Sequence, residues 1–300
     1  MRILNFGSLN FDRVYEVSHF VQEGETILSR DYNEFLGGKG LNQSLALARA
    51  GASVCHMGAV GADGGQMFRC LEDSGVDTRY LRTVDGASGH AVIQKSSGQN
   101  CIIVCGGANQ RITCDEIRRV LEDFGPGDLL LVQNETSNVP FAIEEAKRRG
   151  MKVAFNASPI TPEVLDYPLS LIDYFIINEV EGKSLSGSSS SDFEIILRDL
   201  AEKFPDAAIV LTIGEQGVLY QDKQERARQG IYKVKVADTT AAGDTFCGYF
   251  LASIYAGKTV PEALRTASQA SALAVSKNGA SVSIPTMEQV REFAAAHEAP

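Results

Sequence analysis

A chain of 300 residues with 44% apolar and 22% charged side chains is an ordinary globular protein, long enough for one large α/β domain or two modest ones. Its formal charge of −10 argues against a nucleic-acid or anionic-membrane surface, and no apolar run approaches a membrane span. Six cysteines without a CxxC pair and four scattered histidines give no zinc-ligand pattern, so buried free thiols are expected, and no G-x-S-x-G elbow is present.

Met1 runs directly into a strand-like stretch at residues 2–7, with no leader-like segment, and a soluble cytoplasmic protein is expected. Residues 13–36 alternate weakly, as short strands joined by turns do. After Gly37-Gly38-Lys39-Gly40 a helix carries Leu41, Leu45 and Ala48 on one face and stops at Gly51. A strand at 53–59 and a helix ending near Gly75 follow. Residues 77–106 show no convincing helix, and strands are expected on both sides of a turn at 96–99.

From Asp115 onward helices and strands alternate: helix 115–123, strand 128–133, helix 139–149, strand 151–155, strand 172–178, helix 193–204 capped by Asp192, and strand 207–213. A hairpin at 221–229 and a strand at 230–237 lead into a helix with Phe246, Phe250 and Ile254 spaced by four. Helices 260–277 and 286–297 close the chain. This rhythm implies a doubly wound, mostly parallel sheet with helices on both faces, hence one α/β domain spanning 1–300. The stretches 10–36 and 77–106 do not fit the rhythm and are expected to form a small projecting β lid.

Ligands of such sheets bind outside the carboxyl ends of the strands. Polar or Gly-rich segments fall at nearly all of those ends: 7–12, 37–42, 133–135, 178–181, 212–217 and 238–244. In the last, small residues precede Asp244 at a helix start, where free N–H groups and the helix dipole favour a phosphate. A carboxylate there can take a proton from an alcohol attacking phosphorus, although Asp in a first helical turn is also a common cap. Gly37-Gly38-Lys39-Gly40 lacks the spacing of a Walker A loop, yet its glycines allow close backbone approach to a ligand. Asn10 and Asp12, two apart, project the same way from an extended chain and suit neighbouring hydroxyls; an Asx turn would use them equally well.

Taken together, Gly-Gly-Lys-Gly-x-Asn at 37–42 and Asp-Thr-x-Ala-Ala-Gly-Asp-Thr-Phe at 238–246 resemble the two signature motifs of the ribokinase-like (PfkB) carbohydrate kinases. The resemblance extends to Gly-Ser-x-Asn-x-Asp at 7–12, Gly-Glu-Thr at 24–26, Gly-Ala-Asn at 107–109, Asn178-Glu179-Val180-Glu181, the 212–217 loop and Lys277-Asn278-Gly279-Ala280. It implies transfer of the ATP γ-phosphoryl group to a primary hydroxyl, with ribose giving ribose 5-phosphate as the expected reaction. Another pentose, a ketohexose, a deoxy-sugar acid or a nucleoside are the alternative acceptors.

The resemblance also implies roles. Asp244 would be the base, with the amides of Ala242, Gly243 and Asp244 as the anion hole. Asn10, Asp12, Gly38, Lys39, Gly40, Asn42 and Glu135 would hold the sugar. Asn178, Thr212, Gly214, Gly217, Gly243 and Ser268 would line the ATP site, and Glu181 would place Mg²⁺ through water. A monovalent cation, K⁺, would take oxygens of Asp238, Thr240, Ala274, Lys277, Gly279 and Ser283. A homodimer through the lid is implied as well, with no nucleic-acid or membrane partner. Phe11, Leu41 and His90 depart from the usual pattern, and a bulkier pocket wall would shift the preference away from ribose. Outside this family, a dinucleotide-dependent oxidoreductase lacks its G-x-G-x-x-G, and a non-catalytic sugar-sensing module would have no need of Asp244.

Overall fold

The computed structural model describes residues 1–297. In chain order the elements are β1 (Ile3–Phe6), β2 (Asn10–Glu16), β3 (Asp31–Gly37), α1 (Lys39–Arg49), β4 (Val54–Val60), α2 (Gly65–Asp73), β5 (Asp77–Thr83), β6 (Gly89–Ser96) and β7 (Gln99–Cys105). Then come α3 (Cys114–Leu121), β8 (Leu129–Gln133), α4 (Val139–Arg148), β9 (Lys152–Asn156), β10 (Tyr174–Asn178), α5 (Glu179–Ser186), α6 (Phe193–Lys203) and β11 (Ala208–Thr212). The chain ends in β12 (Val218–Gln221), β13 (Arg226–Gln229), α7 (Ala242–Tyr255), α8 (Val260–Val275) and α9 (Met287–Ala296).

Nine strands form one sheet in the order β13-β12-β11-β10-β9-β8-β1-β4-β5. From β11 to β5 every pair is parallel, and the β12–β13 hairpin adds an antiparallel edge. Central strands such as β1 and β8 are buried along their whole length, which is why they read as apolar runs rather than alternating ones. One core packs α1, α2, α7 and α8 against one face of the sheet. A second packs α3, α4, α5 and α6 against the other. The chain leaves β1 toward β4 on one side and later returns to β8 on the other, so β1 is the topological switch point. The loop after β1 therefore opens where a doubly wound sheet binds its ligand.

A separate four-stranded sheet, in the order β3-β2-β6-β7, grows from the end of that loop. It does not take in all of 77–106. Asp77–Thr83 pairs with β4 as the edge of the large sheet, half-exposed and charged, so the apolar run that marks a central strand is absent. The strand expected at 230–237 is also not a strand. Its chain is extended, with Tyr232 and Val234 packed near Phe293 and Ala272, but it joins no sheet. It is tied to α8 through the Ala237 and Asp238 amides, which donate to Val275 O at 2.8 and 3.2 Å. Not all of the thiols are buried either: Cys55 and Cys247 are, whereas Cys101 and Cys105 are exposed on β7. No helix among the described residues is long and apolar enough to cross a membrane.

Candidate active site

Two helices start at the carboxyl-end face of the large sheet and run side by side from it. At their contact a Cβ on Gly248 of α7 would lie 2.4 Å from Ala46 Cβ of α1, so only glycine permits this approach. One turn earlier on each helix, Asn42 meets Asp244. Asn42 Nδ2 donates to Asp244 Oδ2 and Gln43 Nε2 donates to Oδ1, both at 2.9 Å. Asp244 is 8% exposed and thus reachable from one side only. Both helix N-termini converge on this carboxylate, and their dipoles favour its charge.

The start of α7 is built for an anion. Ala241 sits at the N-cap with φ 61°, a left-handed conformation that is strained for a residue other than glycine, and no side chain caps the helix. The Gly243 and Asp244 amides meet no protein acceptor among the described residues, and a Cβ added at Gly243 would meet nothing within 4 Å. The Ala242 amide differs from expectation: it bends back to Thr239 O at 3.3 Å, leaving two bare donors rather than three.

Across from α7 lies the Gly-rich turn. Gly38 has φ 92°, and a Cβ at Gly40 would come within 2.4 Å of the backbone at Gly7 and Ser8, so the turn lies flat on the loop after β1. Lys39 is pulled two ways. Burial lowers the pKa of its ammonium, but the Asp244, Glu135, Glu181 and Asp12 carboxylates together raise it above the usual lysine value. Glu135 accepts from Lys39 N at 3.2 Å and from the Ser8 hydroxyl. Asp12 lies over Gly37, where a Cβ would touch its carboxylate. Burial, then Glu135 and Asp244, push its pKa up to about 7 against the pull of Lys39. Asn10 Oδ1 accepts from Asn109 Nδ2 at 2.8 Å, and Asn109 Oδ1 accepts from Leu9 N at 3.0 Å. Thus Asp12, Lys39, Asn42, Glu135, Glu181 and Asp244 share one field. Phe11 and Leu41 are buried in the main core.

At the far side of the same face, Asn178 caps α5. Its Oδ1 accepts from Val180 N and Glu181 N, and Glu181 returns the contact to Asn178 N at 3.0 Å. Burial raises the pKa of Glu181 despite these donors. Thr212 donates to Ile177 O at 3.3 Å, and the chain then turns through Gly214 and Gly217 (φ 53° and 95°). Ser268 lies on α8 one turn before Ser271, whose hydroxyl donates to Ala242 O at 3.1 Å.

The cation candidates cluster only in part. Asp238 accepts from Thr240 N at 2.9 Å and Gly279 N at 3.3 Å, and Lys95 of β6 stands 3.7 Å away. Ala274 O accepts from Lys277 N, and the Ser283 hydroxyl donates to Ala280 O. No group of three or more His, Cys, Asp or Glu suited to a metal occurs among the described residues. A depression of about 320 Å³ lies elsewhere, between β5 and α3, lined by Tyr80, Arg82, Glu116 and Arg119. None of the candidate residues borders it.

Gln43 and Ser271 escaped the sequence reading, whereas Gln133 and Asn109 fell within its segments 133–135 and 107–109 without an assigned role. Gln133 and Asn5 carried a faint signal, being polar residues inside otherwise apolar strand runs.

Residues 2–287 match the profile of the pfkB family carbohydrate kinases. The chain belongs to that family. As a pfkB-family kinase it is a phosphotransferase with an alcohol group as acceptor. Ribokinase of Haemophilus influenzae is 37% identical to this kinase over 298 residues, covering 96% of each chain. Deoxyribokinase of Salmonella typhi is 30% identical, over 99% of this chain and all of its own. Among solved structures, Arabidopsis thaliana ribokinase complexed with ribose and ATP is 30% identical with a TM-score of 0.83, covering 97% of this chain and 98% of that one.

Proposed function

We propose that this kinase transfers the γ-phosphoryl group of ATP to the primary hydroxyl of ribose, giving ribose 5-phosphate, in the cytoplasm. The observation that carries the reading is the seat at the start of α7, where a buried carboxylate adjoins two unpaired amides. Asp244 accepts the hydroxyl proton as that oxygen attacks phosphorus. The Gly243 and Asp244 amides, supported by that of Ala242, meet the charge on the transferred group, and Lys39 adds a cation on the facing wall. Asn10, Asp12, Gly38, Gly40, Asn42 and Glu135 hold the remaining sugar hydroxyls. The unpartnered Asn42 Oδ1 offers one acceptor for them. Asn178, Thr212, Gly214, Gly217 and Ser268 line the nucleotide side.

Mg²⁺ ordinarily binds through substrate phosphates and waters with one or two carboxylates, and Glu181 alone fits that habit. When bound it would neutralise phosphate charge. The oxygens of Asp238, Thr240, Ala274, Lys277, Gly279 and Ser283, which cluster only in part, would supply the hard donors for K⁺ behind the seat. The four-stranded sheet would serve as a lid that excludes water. Its edge strand β7 is exposed throughout, with Ile102, Ile103 and Val104 bare, which favours pairing with a second copy through the lid.

2-Deoxyribose is the second acceptor considered, favoured by the similarity to Salmonella typhi deoxyribokinase. An ADP-release screen across ribose, 2-deoxyribose, other pentoses, ketohexoses and nucleosides tests the reading. The highest kcat/KM is expected for ribose; no ATP consumption with any acceptor would instead favour a non-catalytic sugar-sensing module.

A further inference from the structure

Gln43 lies at the start of the second turn of α1 with no exposed surface, an expensive place for an amide unless every polar atom is matched. It is matched, and in one orientation only. Asn156 Nδ2 donates to Ile176 O at 2.8 Å, which leaves Asn156 Oδ1 as an acceptor. Asn5 Nδ2 donates to Gly40 O at 2.8 Å and to Ser44 Oγ, which leaves Asn5 Oδ1 as an acceptor. Gln133 Nε2 fills that site at 2.9 Å and also donates to Gln43 Oε1 at 2.7 Å. The nitrogen of Gln43 must then face Asn156 Oδ1 at 3.0 Å and Asp244 Oδ1 at 2.9 Å. A flipped amide would set its oxygen against both acceptors. Two main-chain carbonyls, Ile176 O and Gly40 O, thus fix the direction of every amide between them.

We infer that Gln43 is a positioning residue for Asp244. Together with Asn42 on the other oxygen, it clamps the plane of the carboxylate and leaves each oxygen a second lone pair for the incoming hydroxyl. The inference rests on the reading of Asp244 as the base. Misplacing a reacting group by about 1 Å can cost on the order of 10²-fold in rate, so the clamp acts on turnover and leaves ground-state binding nearly unchanged.

The test is a double-mutant cycle of Gln43→Met and Asp244→Asn, with steady-state kinetics on ribose, calorimetric affinities for ribose and ADP, and thermal midpoints. Gln43→Met is expected to lower kcat about 10- to 100-fold with both KM values and both affinities within about threefold. In the Asp244→Asn background the same change is expected to have almost no further effect, because the group it positions is gone. A kcat within twofold of the parent, or an equal loss in both backgrounds, would overturn the inference while leaving Asp244 as the base. Near-full turnover of Asp244→Asn alone would instead remove the base and the inference with it. Should Gln43→Met fail to fold, Gln133→Leu carries the test, since it removes the donor that holds Gln43 Oε1 and so loosens the clamp without touching Asp244. A kcat about 3- to 10-fold lower at unchanged KM is expected, and an unchanged kcat refutes the inference.

Discussion

Replacing Asp12 by Asn separates two effects that its carboxyl group combines. Burial and the Glu135 and Asp244 carboxylates raise its pKa from 3.8 to about 7 in the folded protein. Between those two values the folded chain holds a proton that the unfolded chain has released. The stabilising contribution of this group is therefore fully present below about pH 4 and is lost as pH rises through about 7. The displacement corresponds to roughly 4 kcal/mol at full strength, and about 1–2 kcal/mol once residual solvent contact screens it. Asp12→Asn removes that loss. The variant is expected to melt a few degrees above the parent at pH 8.5 and at the same temperature below about pH 4, by differential scanning calorimetry. Sugar hydroxyls donate best to the ionised form, so the affinity of the parent for ribose rises from pH 6 to pH 8. Calorimetry in buffers of different ionisation enthalpy then shows proton release near pH 7, absent from Asp12→Asn, which binds at least about tenfold more weakly at pH 8. A melting difference independent of pH, or ribose binding with neither pH dependence nor proton release, would refute the reasoning.

Three other expectations follow from the packing and the loops. Gly248→Ala gains up to about 1 kcal/mol in helix propensity, but its Cβ would stand 2.4 Å from Ala46 Cβ and 2.9 Å from Leu47 N. Overpacking of about 1–3 kcal/mol wins, so the melting temperature falls and kcat drops as Asn42 separates from Asp244; an unchanged kcat would contradict the helix contact as the site's foundation. Exchanging K⁺ for a large organic cation is expected to lower turnover severalfold, and equal rates in both salts would dispose of the cation loop. Ile103→Lys on the exposed β7 edge is expected to shift sedimentation from dimer to monomer; a parent that sediments as a monomer would remove the lid interface.

Much of this architecture was legible because fully buried strands and half-buried helices leave different periods. The runs at β1, β8 and β11 and the glycine stops after α1 and α4 follow directly from that. β5 escaped because an edge strand with Asp77, Arg79 and Arg82 does not look buried. The segment 230–237 misled for the opposite reason: its period of two is real, but Tyr232 and Val234 turn inward against α8 and α9 rather than into a sheet. At the site, glycines and acids at strand ends announced themselves through spacing. Gln43 did not, because nothing local distinguishes a buried helical amide from an exposed one, and Gln133 and Asn5 did so only faintly, as polar residues in apolar strand runs. Only the fold brings three separate elements together around them.

The most direct measurement is the turnover of Asp244→Asn on ribose and ATP, with both affinities determined on the same protein. Losing a general base typically costs 10²–10⁴-fold, so kcat is expected to fall by about that factor while ribose and ATP still bind. A variant that binds both and turns over at nearly the parent rate would contradict the assignment of this carboxylate as the base.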